Sequence, residues 1–319
     1  MKVLLTGGAG YIGSVCVDDL LNRGHEVTVY DNLSTGFSDS VNSDAKLITA
    51  CLSDTKILRD LFNSIRPDAV MHFAGLVRVD ESMSHPDLYF DNNVSFGKNL
   101  LDVCVEFKIK KFVFSSTAAT YGVPRQVPIN EKHPQLPINP YGESKLIFEK
   151  YLRWYEEVYG LNTVIFRYFN ASGATSNRGQ KHRIMSHLIP NVLKVALKEK
   201  EVINIFGQDF NTIDGTGVRD YIHVSDLSSA HIKAIESDVC GKFNLGVGKG
   251  YSVMEIIQAC EKITGQAIPY KMLSRRAGDP SIVIADSTLA RKELNWIPEY
   301  SDLHNIIQSA WNWQSSFKH

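Results

Sequence analysis

The chain has 319 residues, 44% hydrophobic and 22% charged, which suits one large domain or two fused ones with a substantial core. Its 34 Lys and Arg nearly cancel its 35 Asp and Glu, so no global field points to nucleic acid or a membrane surface. The 5 cysteines are scattered without a C-x-x-C pair, as expected of structural thiols in a reducing compartment, and no window approaches the ~18 apolar residues of a membrane span. The expected location is therefore cytoplasmic.

A first strand is expected at Val3–Leu5, and the glycines that follow interrupt any signal-peptide core. Gly7-Gly8-Ala9-Gly10-Tyr11-Ile12-Gly13 then leads into a helix over Ile12–Arg23. Glycines between a strand and a helix let the backbone turn tightly and approach a pyrophosphate, and the helix N-terminus supplies N–H groups and a positive dipole end. The second strand, Val27–Tyr30, ends at Asp31, where a carboxylate can accept hydrogen bonds from a ribose 2′-OH and repel a 2′-phosphate. That pairing favours NAD over NADP. Further strands are expected at Leu47–Ile48, Ala69–His72, Phe112–Ser115 and Thr163–Arg167, and helices at Ile57–Ile65, Asp87–Phe107 and Tyr141–Val158. Continuous apolar strands alternating with helices predict an α/β fold, a doubly wound parallel Rossmann-type sheet.

After Phe169 the pattern changes to Asn- and Gly-rich polar sequence around one helix, Met185–Lys198. Residues 1–169 therefore read as a dinucleotide-binding domain and 170–319 as a smaller, substrate-side region. Tyr221–Val224 and Phe243–Leu245 are the segments that can return to the main sheet.

Tyr141-Gly142-Glu143-Ser144-Lys145 places a phenol and an ammonium on one helix face. A neighbouring ammonium favours phenolate, and such a tyrosine can serve as acid and base in a hydride-transfer reaction. The spacing alone is weak evidence, but Asn139-Pro140 starts the helix at once, and Phe112–Thr117 is a strand ending in hydroxyls at the edge where such sheets bind ligands. Thr117 can hydrogen-bond a sugar hydroxyl there, or cap the next turn.

These residues, with GGAGYIGS at 7–14, YDNLS at 30–34, HFAG at 72–75, DNNV at 91–94, SSTAATYG at 115–122, RYFNASGA at 167–174 and GTGVRDYIHV at 215–224, resemble the UDP-galactose 4-epimerases of the extended short-chain dehydrogenase/reductase type, in order and over essentially the whole chain. The resemblance implies an NAD-dependent isomerase that interconverts UDP-glucose and UDP-galactose through a 4-keto sugar. It implies Thr117, Tyr141 and Lys145 as the catalytic trio. It implies cofactor contacts at Gly7, Gly10, Tyr11, Ile12, Gly13, Asp31, Asn32, Leu33, Ser34, Thr35, Gly36, Phe73, Ala74, Gly75, Asn92 and Phe169. It implies UDP-sugar contacts at Asn170, His187, Phe206, Arg219, Tyr221, Arg276 and Asp279, where the two arginines suit a diphosphate and Phe206 can pack on uracil.

Two departures stand out. Cys51, with Leu52 at the adenine end of the site, replaces an acidic residue of most members, and Val77 stands where many carry Lys. The run Arg275-Arg276-Ala277-Gly278-Asp279 anchors Val283 at a place where a bulky Tyr goes with restriction to the unacetylated sugars, so the resemblance implies room for UDP-GlcNAc and UDP-GalNAc as well, unless Val283 is only a strand residue facing the core and a neighbouring loop fills the space. It also implies a homodimer built on the helices Asp87–Phe107 and Tyr141–Val158, with Tyr89, Phe96, Leu100, Val103, Leu152 and Tyr155 as candidate interface positions unless they face the sheet. Nucleotide-sugar dehydratases or decarboxylases on the same fold are the nearest alternative, but Thr117-Ala118-Ala119 lacks the extra acid and base that elimination needs. A non-catalytic NAD-binding sensor is the alternative of another class.

Overall fold

The structure is a computed structural model that describes residues 1–181, 185–276 and 278–316. Its first half runs β1 Lys2–Thr6, α1 Tyr11–Asn22, β2 Glu26–Asp31, β3 Lys46–Thr49, α2 Thr55–Ile65, β4 Ala69–His72, α3 Val79–Ser84 and α4 Pro86–Phe90. A π-helical turn at Asp91–Phe96, α5 Gly97–Glu106, β5 Lys111–Thr117, a 3-10 turn at Ala118–Tyr121, α6 Pro140–Tyr159 and β6 Asn162–Tyr168 follow. The second half holds β7 Asn170–Ser172, α7 Leu188–Ala196, β8 Ile203–Phe206, β9 Val218–His223, α8 Val224–Ile235, β10 Gly241–Leu245 and β11 Gly250–Ser252. It ends with α9 Val253–Thr264, β12 Tyr270–Leu273, β13 Ile282–Val283, α10 Thr288–Glu293 and α11 Leu303–Ser315.

Seven strands form one sheet in the order β10-β6-β5-β4-β1-β2-β3, every neighbouring pair parallel. Both faces are covered, which is why its strands read as unbroken apolar runs. Val3, Leu5, Val29, Met71, Val113 and Phe166 pack on one side with Cys16, Leu20, Leu227 and Ala230 of α1 and α8. Leu4, Val70, Phe112, Phe114 and Ile165 pack on the other with Phe62, Leu100, Phe148 and Leu152 of α2, α5 and α6. The chain reverses its direction of travel across the sheet between β1 and β4. That switch point opens a crevice at the C-terminal strand ends, where the glycine loop, Phe73-Ala74 and Thr117 all emerge.

The second half divides between two roles. β10 pairs with β6 from Gly241 to Leu245 and so completes the main sheet. Tyr221 does not return to it. β7 leaves β6 after a single residue and takes β9 as its parallel partner, so Tyr221 sits in a separate sheet of β11, β9 and β13 with β7 alongside. That strand starts earlier than expected, and Val224 already begins α8, whose first turn is capped by the His223 ring accepting from Ser225 N. The buried Asp220 carboxylate accepts from the backbone N–H groups of Val247, Gly248 and Ala285, tying the end of β10 to β9. Burial pushes its pKa up to about 6 against the pull of those three donors.

The single helix expected over Asp87–Phe107 is instead α4, the π-turn and α5. Asp91-Asn92-Asn93 are poor helix formers, and the widened turn places the Asn93 side chain against the backbone of Leu76 and against Ser144 of α6. Tyr89, Leu100, Val103 and Leu152, expected at a subunit interface, are fully buried within the chain, and Phe96 and Tyr155 pack against the same core. These helices contact the sheet, each other and α6, so one apolar stripe is not enough for them. Exposed apolar side chains on α3, α4 and α6 include Met83, Leu88, Trp154, Val158 and Tyr159.

Candidate active site

The glycine loop is shaped by contacts that a side chain would forbid. Gly7 has φ +76°, and a Cβ there would lie 2.4 Å from Ala74 N. A Cβ on Gly13 would lie 2.4 Å from Gly7 O, and one on Gly36 would lie 2.7 Å from Ala9 O. Gly10 is the N-cap of α1 and brings no side chain to cover the helix's first turn. Tyr11 directs its hydroxyl away, donating to Gly173 O at 2.6 Å, so only its ring and backbone can line the loop; Ile12 packs beneath it toward both sheet and helix cores. Asp31 is buried at the end of β2, with one carboxylate oxygen accepting from Ala9 N and the other from Leu33 N. Each oxygen keeps a lone pair for a further donor. Leu33 holds φ +58° in the following turn, and Asn32, Ser34 and Thr35 continue it, with Ser34 N donating to the Asn32 side chain.

Cys51 and Leu52 lie beyond β3. Cys51 O accepts from Tyr30 OH and Leu52 O from Asn99 Nδ2, so this edge is fixed through backbone carbonyls and the Cys51 thiol remains partly exposed. Val77 is 45% exposed. Phe73 N and Ala74 N both donate to Thr6 O, which presses β4's end onto the glycine loop. A Cβ on Gly75 would lie 3.1 Å from Lys145 Nζ and 3.2 Å from Asn93 Oδ1. Gly75 thus sits where the chain leaving β4 approaches α6 and Asn93. Asn92 donates to Asn93 Oδ1, and Asn93 in turn bonds to Leu76 and Ser144.

The α6 start explains how Tyr141 reaches Thr117. Asn139 caps the helix by accepting from Gly142 N at 2.8 Å, and Pro140 occupies its first turn. A Cβ on Gly142 would lie 2.6 Å from Ala119 O, so this glycine admits the 3-10 turn that follows Thr117. The Thr117 hydroxyl accepts from Ala119 N at 3.1 Å, capping that turn.

Burial raises the Tyr141 pKa, and the nearby Thr117 hydroxyl pulls it back down. Lys145 is buried, donates to Ser115 O at 3.0 Å and lies over the Phe114 ring. Burial lowers its own pKa to about 8, against an opposing pull from Glu149. His72, whose Nδ1 lies 2.6 Å from Thr6 Oγ1, is held down at about 3 by burial and by Lys145, and stays neutral.

On the other side of the crevice, Phe169 N donates to Leu245 O and Asn170 Nδ2 to Asp220 O. Arg219 pairs with Asp279 at 2.5 Å, and its Cα is the register partner of Val283. Val283 is partly buried against Tyr121, Ile129 and Phe169. Arg276 lies over the Phe206 ring, 4.2 Å from its centroid. His187 is the N-cap of α7, and Tyr221 is buried among the side chains of α7 and α9, which raises its pKa. Ala277, inside the arginine-rich run, lies outside the described residues. Among the described residues, no group of three or more His, Cys, Asp or Glu could hold a metal ion, and no helix is long and apolar enough to cross a membrane.

The residues that the sequence did not single out are Asn93, Gly142, Glu149 and Arg167. The signal for the first two was present, an Asn pair inside a helix and a glycine in a helix's first turn. The last two form a fully buried ion pair at 2.6 Å between α6 and β6, visible only once those elements are packed.

Residues 3–246 match the family described as NAD dependent epimerase/dehydratase. A UDP-glucose 4-epimerase of Halalkalibacterium halodurans is 47% identical, over 100% of this chain and 97% of its own. The fold superposes on a UDP-glucose 4-epimerase from Brucella ovis in complex with NAD with a TM-score of 0.94, at 43% identity and 97% coverage of both chains. It superposes equally, at 0.94, on the Bifidobacterium longum UDP-glucose 4-epimerase in complex with NAD+ and UDP, at 38% identity over 99% of this chain and 98% of that one.

Proposed function

The chain belongs to the NAD dependent epimerase/dehydratase family, among its UDP-glucose 4-epimerases, and we propose that Tyr141, Thr117 and Lys145 carry its NAD-dependent interconversion of UDP-glucose and UDP-galactose. The observation that carries this assignment of roles is the packing of the start of α6 on the open end of β5, with Gly142 against Ala119 O and Lys145 donating to Ser115 O beside Thr117, next to a backbone cradle that admits no Cβ at Gly7, Gly13 or Gly36.

The cradle suits NAD. The backbone of residues 7–13 would hold the pyrophosphate at the start of α1, and Asp31 would accept from the adenosine ribose. When bound, NAD supplies the acceptor and donor of hydride for the sugar C4 and a positively charged ring. The protein's part is orientation and proton handling. Thr117 keeps one hydroxyl lone pair and its proton to align the C4 hydroxyl. Tyr141 exchanges the hydroxyl proton, and the polar contacts of Asn93, Ser144 and Lys145 fix the helix that carries it. With Ala118 and Ala119 after Thr117, no side chain there can protonate a leaving hydroxyl, so dehydration has no acid. Arg219 and Arg276 are free to turn from Asp279 and Phe206 to a diphosphate, a ligand of higher charge.

The finer sugar range follows from Val283. It is partly exposed at the rim of its apolar cluster, and a side chain shorter than tyrosine leaves volume on that side for an acetamido group. We assign turnover of UDP-GlcNAc and UDP-GalNAc on that ground. A homodimer is proposed through the exposed face of Met83, Leu88, Trp154, Val158 and Tyr159, since α3 and α4 lie against α6. The unpaired cysteines accord with a cytoplasmic location. Incubating the protein with each of the four UDP-sugars and resolving the products tests the assignment: C4 epimers are expected from all four, and a deoxysugar or pentose product would overturn it.

A further inference from the structure

Beneath Tyr141 and Lys145, the next residue on the same face of α6 is Glu149. Its carboxylate is fully buried and saturated. Oε1 accepts from Ser116 Oγ at 2.5 Å and from Arg167 Nε at 3.1 Å; Oε2 accepts from Arg167 Nη2 at 2.6 Å and from Gln135 Nε2 at 3.1 Å. Arg167 continues the chain, donating to Tyr121 OH at 2.8 Å, and Tyr121 donates to Asn244 Oδ1 at 2.7 Å. Ser116 precedes Thr117, and Tyr121 closes the 3-10 turn that Thr117 caps. The network therefore grips both sides of Thr117 from the helix that carries Tyr141 and Lys145.

A buried ion pair is a poor way to stabilise a fold, because desolvation offsets most of the attraction and apolar side chains of similar volume do as well or better. What it does supply is fixed geometry and a fixed negative charge. We propose that Glu149, clamped by Arg167, is a positioning residue for the epimerase reaction: it locks the Thr117 strand end to α6 and holds a negative charge one turn from Lys145. This rests on the roles assigned to Tyr141, Thr117 and Lys145 above.

The charges around the pair come from several elements. Lys145 is one turn back on α6 and Arg153 one turn on; Arg167 is on β6, Lys242 on β10, and the Tyr121 phenol and Glu131 carboxylate lie on the Arg167 side. Lys145 is itself faced by the neutral His72 of β4. Glu149 is the one carboxylate among these that acts on Lys145, raising its pKa against burial. Without that charge, Lys145 loses its proton at lower pH.

The test uses the full-length enzyme and three substitutions, each checked for fold by circular dichroism and for kcat and KM across pH. Ser116→Ala removes only the strand-side link and leaves both charges. It should lower kcat by about tenfold with KM within about twofold and the alkaline limb of kcat in place. Glu149→Gln keeps the side chain's shape but not its charge, and should move the alkaline limb to lower pH by about one unit. Glu149→Asp keeps the charge and should leave that limb where wild type has it. A wild-type kcat for Ser116→Ala overturns the proposal, as does a folded Glu149→Gln with an unmoved alkaline limb. Should Glu149→Gln fail to fold, Ser116→Ala decides alone. An active Tyr141→Phe measured beside them would defeat the catalytic assignment instead, and so separates the two claims.

Discussion

Substituting Gly13 by Ala sets local preference against packing. Gly13 is in the first turn of α1, and in an isolated helix Ala is favoured over Gly by about 1 kcal/mol. Here the added Cβ would meet Gly7 O at 2.4 Å and Gly8 Cα at 2.9 Å, both rigid backbone. Ordinary contact begins at 3.4 Å, so α1 must retreat from the loop by about 1 Å. Overpacking of this kind costs about 1–3 kcal/mol, so after the helix gain a net loss of up to about 2 kcal/mol remains, corresponding to a melting temperature lower by up to roughly 3 °C. The same retreat draws the N-terminal N–H groups off the pyrophosphate position, and affinity for NAD should fall by about tenfold or more. Gly24→Ala is the control. Gly24 also sits at the end of a helix, with φ +78°, but nothing lies within 4 Å of its Cβ position, so strain near 1 kcal/mol is the only cost and NAD should be retained. Differential scanning fluorimetry and NAD released by acid extraction read both effects. A Gly13→Ala protein with wild-type melting and full NAD content would refute the steric reasoning.

Tyr141→Phe should fold, keep NAD and lose most of its turnover, because the phenol is the group that handles the C4 hydroxyl proton; steady-state kinetics with UDP-galactose checks this. Burial favours the neutral amine of Lys145, so its ammonium is half lost at about pH 8, and kcat should fall as pH rises through that value; a flat profile to pH 10 would remove the need for its charge. Val283→Tyr should suppress turnover of UDP-GalNAc by at least about tenfold while leaving UDP-galactose within about threefold, as product ratios by anion-exchange chromatography will read. Trp154→Glu, in the exposed face of α6, should convert a dimer to a monomer by light scattering, whereas a wild-type monomer would remove the proposed interface.

The parallel sheet was legible in the sequence because strands buried on both faces leave continuous apolar runs. Ala69–His72 is the observed β4 to the residue, and other strands of the first half differ by one or two positions at their ends. Thr117, Tyr141 and Lys145 were legible because each follows a chain-breaking signal that fixes its place: a strand end, Asn139-Pro140 and the helix that follows. What escaped were interactions made across elements. Asn93 reads as a weak helix residue until Leu76 and Ser144 are beside it. Glu149 lies within an expected helix and Arg167 at the end of an expected strand, and nothing joins them until α6 covers β6. The apolar residues of Asp87–Phe107 were ambiguous for a related reason: a helix packed between a sheet and a second helix is apolar on more than one face, and periodicity alone cannot separate that from a subunit contact. The direction of the Lys145 ammonium is also beyond spacing, because i and i+4 share a face without fixing where a long side chain ends.

The most direct test of the central claim follows an isotope. UDP-galactose carrying deuterium at C4, incubated with the enzyme in ordinary water, should give UDP-glucose that still carries deuterium at C4, since the hydrogen leaves and returns as hydride while only the hydroxyl proton passes through Tyr141. Mass spectrometry and NMR of the product read the label. Deuterium lost to solvent, or a 4-keto-6-deoxy product, would contradict the account.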